Sequence, residues 1–208
     1  MRKIIQKHSK KFSEGFQLVY EKRQSWNDLA ERSTKLFETV ITEAKDVKFF
    51  ENLYIEDSRK GKSTEHMPKF IMFFCGRHPV GTSTLEDNSK LAVESGATLT
   101  FSQCVFGDVM CIMYPFKSDL HKRNENHFIL SMPKDPTWYT EKRINNFIKY
   151  FFSYCQASSF AGNPDIIDKY RINKLITMNK IKNINLSNSI STLIKSIFNI
   201  IKTINTGS

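Results

Sequence analysis

The sequence has few residues that punctuate structure: eight glycines and six prolines in 208 residues. It has four cysteines, Cys75, Cys104, Cys111 and Cys155, and no two of them fall in CxxC spacing. That excludes a disulfide-stapled scaffold and a paired-cysteine zinc ribbon. Free buried thiols in a reducing compartment are expected. No run reaches the ~18–20 apolar residues of a membrane-spanning helix. The longest candidate, Ile190 to Ile204, is interrupted by Lys195 and Lys202. The N-terminal MRKIIQKHSKKF lacks the apolar stretch of a signal peptide. A soluble, cytoplasmic chain without a transmembrane segment is expected. There is no GxxxxGK[ST] loop, no nucleophile elbow and no internal repeat.

Acid is missing from both ends. Residues 1–11 carry Arg2, Lys3, Lys7, Lys10 and Lys11, and the first acid is Glu14. Beyond Asp168 come Lys169, Arg171, Lys174, Lys180, Lys182, Lys195 and Lys202, again with no acid. The net charge of +10 therefore sits at the termini. Residues 12–168 hold 19 basic and 21 acidic side chains and are nearly neutral. An anionic partner, nucleic acid or lipid headgroups, would be met by the ends.

What is present is apolar mass: 40% hydrophobic residues, with 17 Phe. That supports a substantial core. Phe12, Phe16, Val19 and Tyr20 suggest a helix over residues 9–24, weakened by Gly15. Residues 26–54 give the strongest helical pattern, from Trp26, Leu29 and Ala30 through Phe37, Val40, Ile41 and Ala44 to Phe50 and Tyr54. Ser25 with Asp28 resembles a capping box at its start. Residues 55–68 read as a polar loop. Phe70 to Cys75 reads as a central strand, and residues 77–96, with Pro79, Gly81 and Gly96, as irregular.

Residues 97–105 alternate as a half-buried strand. Gly107-Asp108 fits a two-residue hairpin turn leading into Val109–Tyr114. In that register Phe101 faces Tyr114, Gln103 faces Ile112 and Cys104 faces Cys111. Phe128–Met132 reads as a fourth strand. Residues 138–160 form a further helix, stopped by Gly162-Asn163-Pro164. After Pro164 aromatics nearly vanish. Ile190, Ile194, Ile197, Phe198 and Ile201 make an amphipathic stripe of two heptads, too short to stand alone.

The expected architecture is α+β: an antiparallel sheet of about four strands packed with two long helices, followed by a basic C-terminal helical tail. The expected division is a globular domain over 1–163 and an Ile/Asn-rich tail over 164–208. Candidate ligand contacts are Arg77 and His78, just after the central strand, and Gln103, an amide on an apolar hairpin face. Neither a metal site nor a cofactor is expected. The function expected is a non-enzymatic binding or assembly module. Residues 187–208 would meet another protein or a second copy, through Ile190, Ile194, Ile197, Phe198 and Ile201. Two alternatives are an enzyme acting on a phosphate-bearing substrate and a peripheral membrane-surface protein.

Overall fold

The computed structural model describes residues 1–49, 51–60, 69–85, 88–118 and 125–180. The first helix, α1, is a single element, Arg2–Asp46. It joins the two helices expected over 9–24 and 26–54. Ser25 does not cap it, because its Oγ donates back to the Glu21 carbonyl at 3.0 Å. Gly15 is accommodated on an exposed stretch with no neighbour within 4 Å. α1 stops at Asp46 in a two-bond C-terminal motif. Phe49 N–H donates to Ala44 O at 2.7 Å and Lys48 N–H to Lys45 O at 3.0 Å. The residue that reverses the chain is Lys48, at φ 54. Glycine usually fills that position. Its absence explains why the expected helix ran on to Tyr54.

The released chain forms the edge strand β1, Leu53–Asp57. It pairs with β2, Phe70–Cys75. The five-stranded antiparallel sheet runs β1-β2-β5-β6-β8, with β5 Thr98–Gln103, β6 Val109–Tyr114 and β8 Phe128–Lys134. The region expected to be irregular is instead a hairpin. Its strands are β3, Arg77–Leu85, and β4, Asn88–Ser95, and with β7, Lys117–Ser118, they make a second, three-stranded sheet. So the α+β class with helices on an antiparallel sheet holds, with five plus three strands rather than about four.

Register explains the small sheet. Phe70 faces Ser102 and Phe74 faces Thr98 in the large sheet, and Arg77 faces Ser95 in the small one. The residue numbers sum alike from Phe70/Ser102 as far as Pro79/Val93, so β3 and β4 continue the β2–β5 pair as one long arm. Gly76 and Gly96 stand opposite each other at the bend. A Cβ on Gly96 would lie 1.7 Å from the Cys75 carbonyl oxygen, so only glycine allows the backbones this close. A register shift at Pro79/Gly81 adds a bulge further out.

The β5–β6 turn also differs from expectation. Gln103 pairs with Val109 and Phe101 with Cys111, so Cys104 does not face Cys111. The loop has three residues, Val105 to Gly107, not two. Gly107 N–H donates to Cys104 O at 2.9 Å, and Cys104 N–H to Asp108 O at 2.7 Å. Gly107, at φ 84, takes the last loop position. A turn closed by a left-handed glycine satisfies the same glycine signal as the two-residue form.

The core lies between the inner sheet face and two helices. Trp26, Leu29, Ala30 and Phe37 come down from α1. Ile144, Phe147, Ile148 and Phe151 come from α2, Glu141–Ser158. Phe37 stacks on Phe73 with centroids 4.7 Å apart, and Phe73 meets Phe151 at 5.3 Å. A third helix, α3, covers residues 166–180. It lies in the segment expected as a tail, yet Leu175 is 3% exposed within the core. Asn179 fastens it to β8, accepting from Ile129 N–H at 3.0 Å and donating to His127 O at 3.2 Å. Ile190, Ile194, Ile197, Phe198 and Ile201 lie outside the described residues.

β6 and β8 are joined through two register shifts, near Val109 and Cys111. A polar chain bridges them. Tyr139 Oη donates to Val109 O at 2.6 Å, contacts Ser131 Oγ, and Ser131 Oγ accepts from Cys111 N–H at 3.2 Å. Burial pushes the Tyr139 phenol well above its ordinary range. Tyr139→Phe leaves the Val109 carbonyl and Ser131 short of a partner in a buried site. Urea denaturation should show a loss of about 1–3 kcal/mol.

Candidate functional site

Three ionisable side chains meet at the glycine bend. His78 on β3 and Glu94 on β4 are cross-strand partners, two residues past Gly76 and Gly96. Glu51 arrives from the α1–β1 connection, beside Asn52, whose carbonyl accepts from Gly76 N–H at 2.8 Å. His78 Nδ1 lies 2.7 Å from Glu51 Oε1, and Nε2 lies 3.1 Å from Glu94 Oε2. Glu94 is fully buried and Glu51 nearly so. Glu94 also accepts from Ser159 Oγ at 2.6 Å and from Phe160 N–H at 2.8 Å, just beyond α2. Cys75 and Cys155 close one side, with Sγ atoms 3.8 Å apart.

This geometry fastens more than it reacts. Each ring nitrogen of His78 faces a different carboxylate, so the imidazole bridges the arm and the body. The two carboxylates stand on opposite sides of the ring and do not converge on one point. Among the described residues, no group of three or more His, Cys, Asp and Glu could hold a metal ion. Burial pushes the Cys155 thiol up, aided by its contact with Cys75, which keeps the sulfur protonated and unreactive. The cluster anchors the arm at three places: its own second strand, the end of α2 and the α1–β1 connection.

Glu51 is the exception to a fully balanced cluster. Desolvation raises its pKa above the ordinary value, His78 lowers it, and Glu94 raises it. The unfolded chain loses that proton at ordinary acid pH, while the folded chain keeps it to higher pH. Between those two values the folded state binds more protons, so stability falls as pH rises through the window. Glu51→Gln should remove that slope. The check is the urea midpoint from about pH 4 to 7, a range bracketing the usual carboxylate value. Glu51 also lines a cleft of about 510 Å³ between α1 and β1, with Glu38, Lys45, Asp57 and Lys60. That lining mixes acid and base and selects neither sign of ligand.

The three candidates named from sequence do not come together. His78 is in the buried cluster. Arg77, its neighbour on β3, points to the other face and is exposed beside a cleft with Tyr54 and Phe74. Gln103 lies at the opposite end of the sheet, where its N–H donates to Lys69 O at 2.8 Å. Its side-chain amide donates to Gly107 O at 3.1 Å and Lys22 O at 3.4 Å, which meets the need of a buried amide without a ligand. Glu51 and Glu94 carry no motif, and only the pairing of β3 with β4 brings them to His78.

A second feature is larger. The body ends where the Val105–Asp108 loop meets α1. Lys22 Nζ pairs with Asp108 at 2.8 Å, Arg23 donates to Val105 O at 2.9 Å, and a Cβ on Gly107 would lie 3.2 Å from Val19 O. Every residue from 1 to 18 is exposed. At 1.5 Å per residue, α1 projects about 27 Å beyond the loop. Its apolar side does not stop at the body. At about 100° per residue, Ile5, Phe12, Phe16 and Val19 share one sector about 80° wide with Trp26, Ala30 and Phe37. Trp26, Ala30 and Phe37 are fully buried, whereas Phe12 is 68% and Phe16 74% exposed. The sequence pattern showed both stripes but gave no sign that, among the described residues, only one is covered.

Comparison with family models, curated proteins and solved structures finds no match to this chain.

Proposed function

We propose that this protein is a non-enzymatic association module that binds another macromolecule through apolar stripes on its terminal helices. The observation that carries this reading is the projecting half of α1. A core-forming stripe runs on for about 27 Å with nothing from the described body against it. Exposed rows of large apolar side chains mark interaction surfaces. α3 adds exposed Ile166, Ile167 and Tyr170. The sequence stripe Ile190, Ile194, Ile197, Phe198 and Ile201 is a second association element in this proposal. The reading of an enzyme for phosphate-bearing substrates has less support, because Arg77, His78 and Gln103 are spread between the two ends of the sheet.

Photo-crosslinking in cells tests the reading. A photoreactive side chain at Phe12 or Phe16 should give a discrete adduct, and one at Glu14, on the opposite side of α1, should give none. Equal labelling at all three positions, or none at any, contradicts a docking stripe.

A further inference from the structure

Resting on that reading, we infer that the occupant of the projecting α1 stripe is an acidic amphipathic helix of another protein. The charges beside the stripe select it. Arg2 lies on one flank and Lys11 on the other, at about 100° per residue. The only acids in the projecting segment and its junction, Glu14 and Glu21, point away from the stripe. Glu14 is already paired with Lys10 at 3.8 Å. A partner with an apolar seam and carboxylates on both sides complements this face, as flanking charges do in paired helices.

Shape narrows the choice further. The stripe faces the side on which the sheet sits, because Trp26 and Phe37 in the same sector enter the core. A flat bilayer brought against Phe12 and Phe16 would run into the body. A nucleic acid would meet Ile5, Phe12 and Phe16 in the middle of its contact, with no phosphate-binding group there. One helix of about 18 residues fills the notch between the projecting segment and the Val105–Asp108 loop.

The test uses the full chain and two synthetic helical peptides with the same Leu seam, one with Glu flanks and one with Lys flanks. Fluorescence anisotropy should show the Glu-flanked peptide binding at least about 10-fold tighter. The advantage should shrink as salt rises from about 0.05 to 0.5 M, where screening shortens its reach. Phe12→Ser with Phe16→Ser should abolish binding while leaving the body's circular dichroism unchanged. Arg2→Glu with Lys11→Glu should reverse the preference. Equal binding of the two peptides, or tighter binding of the Lys-flanked one, overturns the acidic partner. So does Phe12- and Phe16-dependent flotation with phosphatidylglycerol vesicles, or Phe12- and Phe16-dependent dimerisation in sedimentation. Those outcomes leave the association reading standing with a different occupant. If the Phe12→Ser, Phe16→Ser pair changes none of these measurements, the association reading itself falls.

Discussion

Replacing Phe73 by Ala should lower the unfolding free energy by about 3–5 kcal/mol, the range for a large aromatic lost from a packed core. Phe73 is fully buried on β2 and touches every layer of the body. It stacks on Phe37 of α1 at 4.7 Å, meets Phe151 of α2 at 5.3 Å and Phe152 at 6.3 Å. The cavity would open where three elements converge, so none can close it without leaving another. Phe16→Ser, on the same helix and in the same sector as Phe37, should change stability by less than about 0.5 kcal/mol. Urea denaturation of the two variants measures the contrast. A comparable loss for Phe16→Ser would mean that the projecting half of α1 is packed in the isolated chain.

The second large effect concerns α3. From sequence alone, a chain ending at Gly162 should keep its body intact. The structure places Leu175 in the core and ties Arg171 to Ser153 Oγ at 3.1 Å. A chain ending at Gly162 should therefore be less stable than one ending at Lys180 by about 2–5 kcal/mol, the cost of losing one buried leucine. Both should still unfold in one transition, since the sheet, α1 and α2 are common to the two. Equal midpoints would mean that α3 adds nothing and that the body is complete by residue 163.

Periodicity carried the fold class. The stripe of Trp26, Leu29, Ala30 and Phe37, the strand Phe70–Cys75 and the alternation after Ala97 each belong to an element that formed. Boundaries failed where the reversing residue was atypical or ambiguous. Lys48 stands in a left-handed position that glycine normally announces. Gly107 serves a three-residue loop as readily as a two-residue one. The arm was missed because Pro79, Gly81 and Gly96 read as breakers. In the folded chain Gly76 and Gly96 oppose each other and permit a bend where the ladder of the large sheet gives way to that of the small one. The buried cluster was half legible: His78 stood out, but its carboxylate partners lie 27 residues before it and 16 after it, and only strand pairing relates them. The projecting stripe was legible as a pattern and not as a surface, because sequence does not show where the body ends.

Amide hydrogen exchange of residues 2–18 tests the central claim most directly. The isolated chain should exchange these amides faster than those of residues 26–37, since the projecting turns have no tertiary contact among the described residues to slow their opening. Adding the Glu-flanked peptide should slow exchange over residues 4–20 and leave the sheet unchanged. Protection of residues 2–18 equal to that of residues 26–37 without the peptide, or no change on adding it, would contradict a projecting helix that docks by its apolar face.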